Sequence, residues 1–225
     1  MINTKILLFA KYTNNQLFRT TPKCVNNLHR YTETRKYSTE TTKSRELNNE
    51  EYKILDRIIR VDQAGETAAI WIYKGQKAIL GGDKRLEKML EHMKEQEQVH
   101  LNSFDKKITE FKARPTILQP VAAAGGFALG VVSAMLGEKT AMACTEAVET
   151  VIGGHYNDQL RELIQLEKSE QLDKLMEDIK LFRDQELEHL DTAVQSGAHQ
   201  SFVYGAVSNI VKGGCKVAIW MCNKV

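Results

Sequence analysis

The sequence predicts an all-α protein organised around a four-helix bundle. Prolines occur only at positions 22, 115 and 120 of the 225 residues, so no proline interrupts a long periodic segment. Apolar residues recur at steps of three and four, and the alternating pattern typical of strands is missing. These observations predict long helices at about 48–79, 84–113, 138–167 and 169–195, with further helical segments near 120–136 and 203–222.

Each long helix carries polar, ionisable side chains inside an otherwise apolar stripe. The first and third helices contribute one glutamate each, and the second and fourth contribute a Glu-x-x-His pair, whose spacing keeps both side chains on one face. In chain order these residues are Glu66, Glu97, His100, Glu149, Glu186 and His189. Because burying an unpaired charge is costly, something must compensate these carboxylates.

This order of ligands is the pattern of ferritin-like bundles that hold a di-iron centre. Four carboxylates offset the charge of two ferrous ions, and the absence of thiolates among the ligands favours iron or manganese over structural zinc. A single Glu-x-x-His pair is a weak signal, because it also occurs on solvated helix faces. The six residues in this order predict two bound iron ions, with coordination positions left open for O2.

The segments around these residues resemble the demethoxyubiquinone hydroxylases, a family of mitochondrial di-iron monooxygenases in ubiquinone biosynthesis. The likeness covers about residues 52–225, and the segments that carry it are RVDQAGE at 60–66, EQVHL at 97–101, ACTEAVE at 143–149, HYN at 155–157 and FRDQELEH at 182–189. It implies hydroxylation of the ring of 5-demethoxyubiquinol, a polyprenyl benzoquinol, with O2 and NADH-derived electrons, to give demethylubiquinol.

By this resemblance the six residues bind the irons and are the catalytic residues, with Glu186 and either Glu97 or Glu149 bridging the metals. Another membrane-associated di-iron oxidase, such as a quinol oxidase, would need the same ligands. A ferritin-like protein for iron storage or peroxide handling, and a subunit that only scaffolds a quinone-synthesis complex, are further alternatives. The uncharged stretch 115–137 argues against storage, and the lack of CxxC pairs argues against a rubrerythrin-type peroxidase.

Three polar residues near the predicted ligands have two interpretations each. Asp62, one turn before Glu66, is expected either to hold a ligand imidazole or to form a surface ion pair. The resemblance implies that His155 and Tyr156 deliver protons or electrons. The alternative for both is buried packing with one hydrogen bond.

The amino terminus has the composition of a mitochondrial transit peptide. Residues 1–37 hold seven basic residues and only one acid, Glu33, among many Thr and Asn residues. Arg35 precedes a plausible matrix-protease cleavage point by three residues, and an ordinary disordered tail is the alternative. We therefore expect a transit peptide at 1–37, a linker at 38–51 and a ferritin-like di-iron hydroxylase domain at 52–225.

Net charge and cysteine spacing exclude other functions. The chain has a net charge of +2, and the part after residue 37 holds 24 basic and 28 acidic residues, so no concentrated basic patch points to nucleic-acid binding. The four cysteines form no CxxC pair, which argues against a thiolate zinc site and a redox dithiol.

Two apolar stretches predict contact with a membrane. Residues 115–137 carry no charge, and residues 202–222 carry only Lys212 and Lys216. We expect both to lie in the membrane interface and admit an isoprenoid tail, with a spanning helix at 115–137 or a simple core helix as alternatives. The resemblance further implies a peripheral protein on the matrix side of the mitochondrial inner membrane. Its implied partners are membrane lipid, a lipid-binding accessory protein and a ubiquinone-biosynthesis complex.

Overall fold

The computed structural model describes residues 46–225, and this part of the chain is helical with no strand. The helices are α1 Asn49–Leu80, α2 Lys84–Glu110, α3 Gln119–Met135, α4 Glu138–Leu163, α5 Glu170–Gln195 and α6 Tyr204–Cys222, with a short 3-10 helix at Ala198–Gln200. The all-helical prediction is confirmed, and each predicted helix end lies within four residues of the observed one. The expected transit peptide and residues 38–45 of the expected linker lie outside the described residues.

Local sequence signals set the helix ends. The Asn48 side chain accepts hydrogen bonds from the first turn of α1, while Glu51 accepts from the Asn48 amide at 2.8 Å, which forms a capping box. Asp83 and Ser169 cap α2 and α5, because a side-chain oxygen of each accepts hydrogen bonds from backbone amides of the first turn. Gly137, at φ 103°, makes the turn between α3 and α4, where a residue with a side chain would be strained.

Four long helices form the bundle, and two shorter ones lie along its side. The helix α1 packs against α2, α4 packs against α5, α3 lies along α1, and α6 lies along α4. Apolar residues fill the bundle on both sides of a central polar layer. One apolar cluster includes Leu55, Phe104 and Phe182, and the other includes Leu90, Met93 and Met142.

One turn of α1 attaches α3 and α6 to the bundle. Arg60 Nε donates to the carbonyl of Cys222 at the end of α6 over 3.0 Å. The Gln63 amide accepts from Gln119 at the start of α3 at 3.0 Å and donates to Asp105 of α2 at 2.7 Å. The segment RVDQ therefore contacts the start of α3 and the end of α6, in addition to the packing of these helices along α1 and α4.

The helices α1 and α3 approach until their backbones touch. A Cβ atom at Gly130 would lie 2.1 Å from the carbonyl oxygen of Ile72, and one at Gly126 would lie 2.5 Å from that of Ala68. Glycine at these positions is required by the close approach of the helices. Between residues 46 and 225, no helix has both the length and the apolar character needed to cross a bilayer.

Replacement of Gly130 by alanine should destabilise the protein. The added methyl group would meet the α1 backbone, and such overpacking costs about 1–3 kcal/mol, more than alanine gains from its higher helix propensity. Denaturant unfolding followed by circular dichroism measures the difference. The matched control is Gly213→Ala, since a Cβ there meets no atom within 4 Å. Equal stability of the two variants would contradict the close packing of α1 on α3.

Candidate metal centre

The six residues singled out in the sequence meet in the polar layer at the middle of the bundle. Each is at most 3% exposed. They form two groups of four, in each of which one potential ligand atom per residue lies within 4.8 Å of the others. One group is Glu66, Glu97, His100 and Glu186, and the other is Glu97, Glu149, Glu186 and His189. The stripes thus predict correctly which side chains come together.

Two glutamates belong to both groups and direct one oxygen to each imidazole. Glu97 places Oε2 3.3 Å from His100 Nδ1 and Oε1 3.1 Å from His189 Nδ1. Glu186 places Oε1 3.2 Å from His100 Nδ1 and Oε2 3.2 Å from His189 Nδ1. Glu149 belongs to one group only, so Glu97 rather than Glu149 shares the central position with Glu186.

Two glutamines fix the outer nitrogens of the imidazoles. His100 Nε2 lies 2.7 Å from Gln185 Oε1, and His189 Nε2 lies 2.9 Å from Gln96 Oε1. Because an amide oxygen can only accept, each Nε2 carries a hydrogen and donates it. In the neutral imidazole the Nδ1 lone pair then faces the glutamates, which is the arrangement a metal ligand needs.

The sequence reasoning missed these two glutamines. Each directly precedes a ligand pair, so that both motifs read Gln-Glu-x-x-His, and this repetition is the signal that could have identified them.

The glutamates that belong to only one group, Glu66 and Glu149, are the outer glutamates. Each accepts a hydrogen bond from a tyrosine of the other helix. Tyr73 of α1 donates its hydroxyl hydrogen to Glu149 Oε1 at 2.8 Å, and Tyr156 of α4 donates to Glu66 Oε1. In both helices the tyrosine follows the glutamate of the same helix by seven residues, or two turns. Each outer glutamate is thereby oriented by the opposite helix.

Burial and mutual contacts shift the pKa values of the clustered groups away from their usual ranges. Burial lowers the pKa of His189, but the nearby carboxylates of Glu186 and Glu97 outweigh it and raise the pKa to about 11. His100 likewise has a pKa well above its usual range, because its carboxylate contacts outweigh burial. Burial is also the main reason that the pKa values of Glu66 and Glu149 are raised well above normal. Protons therefore compensate part of the buried negative charge.

The buried atoms that lack partners fit a metal site. Both carboxylate oxygens of Glu97 and Nδ1 of His100 are buried without a hydrogen-bond partner among the described residues. All three atoms lie within the two groups of potential ligands. Divalent cations would supply the missing partners and displace the protons from the imidazoles, because a metal ligand must be deprotonated. The donor set of carboxylates and imidazoles suits iron or manganese.

Asp62 holds neither a ligand imidazole nor a surface ion pair, so both sequence interpretations were wrong. Its side chain is 4% exposed and accepts a hydrogen bond from Gln159 Nε2 at 2.6 Å, with His155 Nε2 3.7 Å away. The ligand imidazoles reach glutamines on α2 and α5, whereas Asp62 points toward α4. Burial raises the pKa of Asp62 to about 8.

An apolar cavity of about 440 Å³ connects the polar layer with the surface. The helices α1, α3, α4 and α6 form most of its wall, and four of the six cluster residues line it as well. These four are Glu66, Glu97, Glu149 and Glu186. The exposed residues Val121 of α3 and Ile210 of α6 also line the cavity, so it reaches the surface beside these two helices.

Sequence comparison places the chain in a known family. Residues 53–222 match the family described as ubiquinone biosynthesis protein COQ7. This range includes all residues of the cluster and of the cavity wall. The chain belongs to this family. The resemblance noted from the motifs is thereby confirmed.

Three relatives illustrate the similarity. The chain is 46% identical over 172 residues to the 3-demethoxyubiquinol 3-hydroxylase of Rhodospirillum rubrum, and the aligned part covers 76% of this chain and 79% of the relative. It is 42% identical over 194 residues to the mitochondrial 5-demethoxyubiquinone hydroxylase of Saccharomyces cerevisiae, covering 81% and 83%. It is also 42% identical over 179 residues to the mitochondrial NADPH-dependent 3-demethoxyubiquinone 3-hydroxylase of Homo sapiens, covering 80% and 82%.

Replacement of Asp62 by asparagine should flatten the pH dependence of stability. With a folded-state pKa of about 8, Asp62 keeps its proton in the native protein between pH 4 and pH 8 but loses it in the unfolded chain. Its contribution to stability therefore falls as pH rises through this window. The Tm of the wild type minus that of Asp62→Asn should decrease from pH 5 to pH 8. Asp191→Asn, at an exposed position of α5, is the control, and a difference independent of pH would contradict the raised pKa.

Proposed function

We propose that this protein is a di-iron monooxygenase that hydroxylates the ring of demethoxyubiquinol in ubiquinone biosynthesis. The observation that carries the proposal is a buried cluster of four glutamates and two histidines at the inner end of an apolar cavity. Relatives that share at least 40% of the aligned residues are named as hydroxylases of demethoxyubiquinone or demethoxyubiquinol. O2 is the oxidant, and a reduced nicotinamide nucleotide is the source of electrons.

The ligand assignment follows from the two groups of side chains. In a ferritin-like bundle, Glu66 and His100 would hold one iron, and Glu149 and His189 would hold the other. Glu97 and Glu186 would be shared by both ions, because each directs one oxygen to either imidazole. When bound, two ferrous ions supply the electrons with which O2 is activated, and their charge balances the four carboxylates.

The surrounding residues hold the ligands and keep water out. Gln96 and Gln185 keep the hydrogen of each imidazole on Nε2, so Nδ1 remains available to the metal. Tyr73 and Tyr156 fix the orientation of the outer glutamates. Apolar clusters on both sides of the polar layer exclude water, which strengthens electrostatic interactions within the site.

The cavity is the proposed binding site for the substrate. Its inner end holds the ring beside the glutamates, and its apolar wall accommodates the isoprenoid tail. The exposed faces of α3 and α6 and their flanking residues present an apolar patch suited to the membrane interface. The residues of this patch are Ile117, Val121, Val132, Met135, Leu136, Phe202, Ile210, Val217, Trp220 and Met221.

The cellular setting is part of the proposal. Residues 1–37 form a transit peptide, and a linker from residue 38 leads to the capped start of α1 at Asn49, so residues 49–51 belong to the domain. The mature protein binds peripherally to the matrix side of the mitochondrial inner membrane. It works with membrane lipid, a lipid-binding accessory protein and a ubiquinone-biosynthesis complex. The family resemblance implies NADH as the electron source, whereas the human relative is named NADPH-dependent, so both nucleotides belong in the assay.

Metal loading and turnover test the site together. Mature protein loaded with ferrous iron under anaerobic conditions should bind about two ions per chain. After reduction, O2 and a demethoxyubiquinol analogue should yield a product heavier by one oxygen atom, identified by mass. Glu186→Ala should lose most of the iron and all of the hydroxylation while remaining helical, since it removes one of several mutually repelling carboxylates.

Glu188→Ala is the matched control for this experiment. Glu188 lies two residues further along α5 and is exposed, so its loss should leave iron content and product formation unchanged. One zinc ion per chain in place of iron would overturn the di-iron assignment. Unchanged quinone beside consumed O2 would favour a quinol oxidase.

Membrane attachment has its own test. A protein that inserts only the exposed patch on α3 and α6 into one leaflet should be released from membranes by alkaline carbonate. Immunodetection in supernatant and pellet measures the release, with an integral inner-membrane protein as the control. Retention in the pellet would contradict peripheral attachment.

A further inference from the structure

Four glycines line the apolar cavity, and three of them leave open space where a side chain would be. A Cβ atom at Gly65, Gly125 or Gly214 would meet no atom within 4 Å, whereas one at Gly126 would collide with α1. The two members of the pair Gly125-Gly126 therefore differ in role. Gly126 permits the close packing of α3 on α1, and Gly125 borders the cavity.

Neither backbone geometry nor packing explains glycine at the three open positions. The glycines with positive φ among residues 46–225 are Gly137 and Gly197, so the three open ones have ordinary helical backbones. Glycine inside a helix is less favourable than alanine, because it loses more conformational entropy on folding. Because these three residues line the cavity, any larger residue there would add a side chain at its wall.

The three positions lie at different places along the cavity. Gly65 directly precedes Glu66 and belongs to the inner end near the glutamates. Gly125 and Gly214 belong to α3 and α6, the two helices that flank the opening. A ligand that moves from the surface to the glutamates passes the outer pair first and Gly65 last.

We propose that Gly65, Gly125 and Gly214 determine substrate specificity by keeping the cavity wide enough for a substituted six-membered ring to reach the glutamates. The inference rests on the proposed function in one respect, since the ligand is taken to be a benzoquinone with an apolar tail. A flexible tail needs less width than a rigid ring with substituents. Side chains added at these positions therefore obstruct the ring more than the tail.

Paired substitutions at adjacent glycines of α6 test the proposal. Gly214→Ala and Gly214→Leu add side chains at a residue that lines the cavity, and Gly213→Ala and Gly213→Leu add the same side chains at a neighbouring residue that does not line it. Equilibrium dialysis with a short-tailed, ring-substituted benzoquinone gives Kd, and the hydroxylation assay gives kcat/KM. Iron content and thermal unfolding show that each variant is folded and loaded.

Gly214→Leu should weaken binding and lower kcat/KM by about tenfold or more, while Gly213→Leu should change neither by more than about twofold. The loss should be smaller for a ring without substituents. Gly65→Ala should lower kcat/KM with unchanged iron content. Should Gly214→Leu fail to fold, the smaller variants Gly214→Ala and Gly125→Ala carry the comparison, with a loss in both expected.

The outcomes separate this inference from the proposed function. If the wild type hydroxylates the quinol and the Gly213 and Gly214 variants do not differ, the inference is overturned and the function stands. If the wild type binds the quinone and Gly214 variants bind it more weakly, but no product forms, the inference stands and the function is wrong. A wild-type protein that binds no benzoquinone overturns the inference.

Discussion

Burial of four carboxylates and two imidazoles in one layer of the bundle is the constraint on which the rest of the structure depends. Each of these groups is at most 3% exposed, and removing charges from water without compensation would oppose folding. Burial of the apolar clusters on both sides of the layer stabilises the fold and offsets this cost. In the metal-free chain, protons on His100 and His189 give partial compensation, since the pKa values of both are raised. The two divalent cations of the proposed function would complete it.

The residues around the layer follow one repeated pattern in the two halves of the chain. Gln76, ten residues after Glu66, donates to Thr145 at 3.2 Å, and Gln159, ten residues after Glu149, donates to Asp62 at 2.6 Å. In each case a glutamine of one helix reaches the residue four positions before the outer glutamate of the opposite helix. The tyrosine and glutamine contacts to the ligands repeat in the same manner. At this contact the halves differ, because Thr145 in one corresponds to the buried Asp62, with its raised pKa, in the other.

The sequence was sufficient for the helices and the cluster because both depend on periodicity within single helices. A stripe of apolar residues interrupted by Glu97 and His100 already specifies that these side chains point inward. It does not specify which neighbour a residue at the edge of a stripe meets. For that reason neither partner expected for Asp62 is the one observed, and Gln96 is not identified from the sequence. The cavity is a gap between α3 and α6, whose separation depends on the contacts that attach each helix to the bundle. No periodicity within one helix encodes such a separation.

The two sides of the polar layer have different access to the surface. The four glutamates line the cavity, whereas within residues 46–225 neither ligand imidazole does. His100 instead packs against the ring of Phe182 with centroids 4.2 Å apart, and glutamines occupy the outer nitrogens of both imidazoles. Entry between α3 and α6 therefore leads to the carboxylate side. A carboxylate has two oxygens that can exchange contacts with a metal, while an imidazole fixed by a hydrogen bond has one nitrogen to offer. In the proposed centre, the open side would thus carry the ligands that can rearrange, and the closed side would carry those that hold their place.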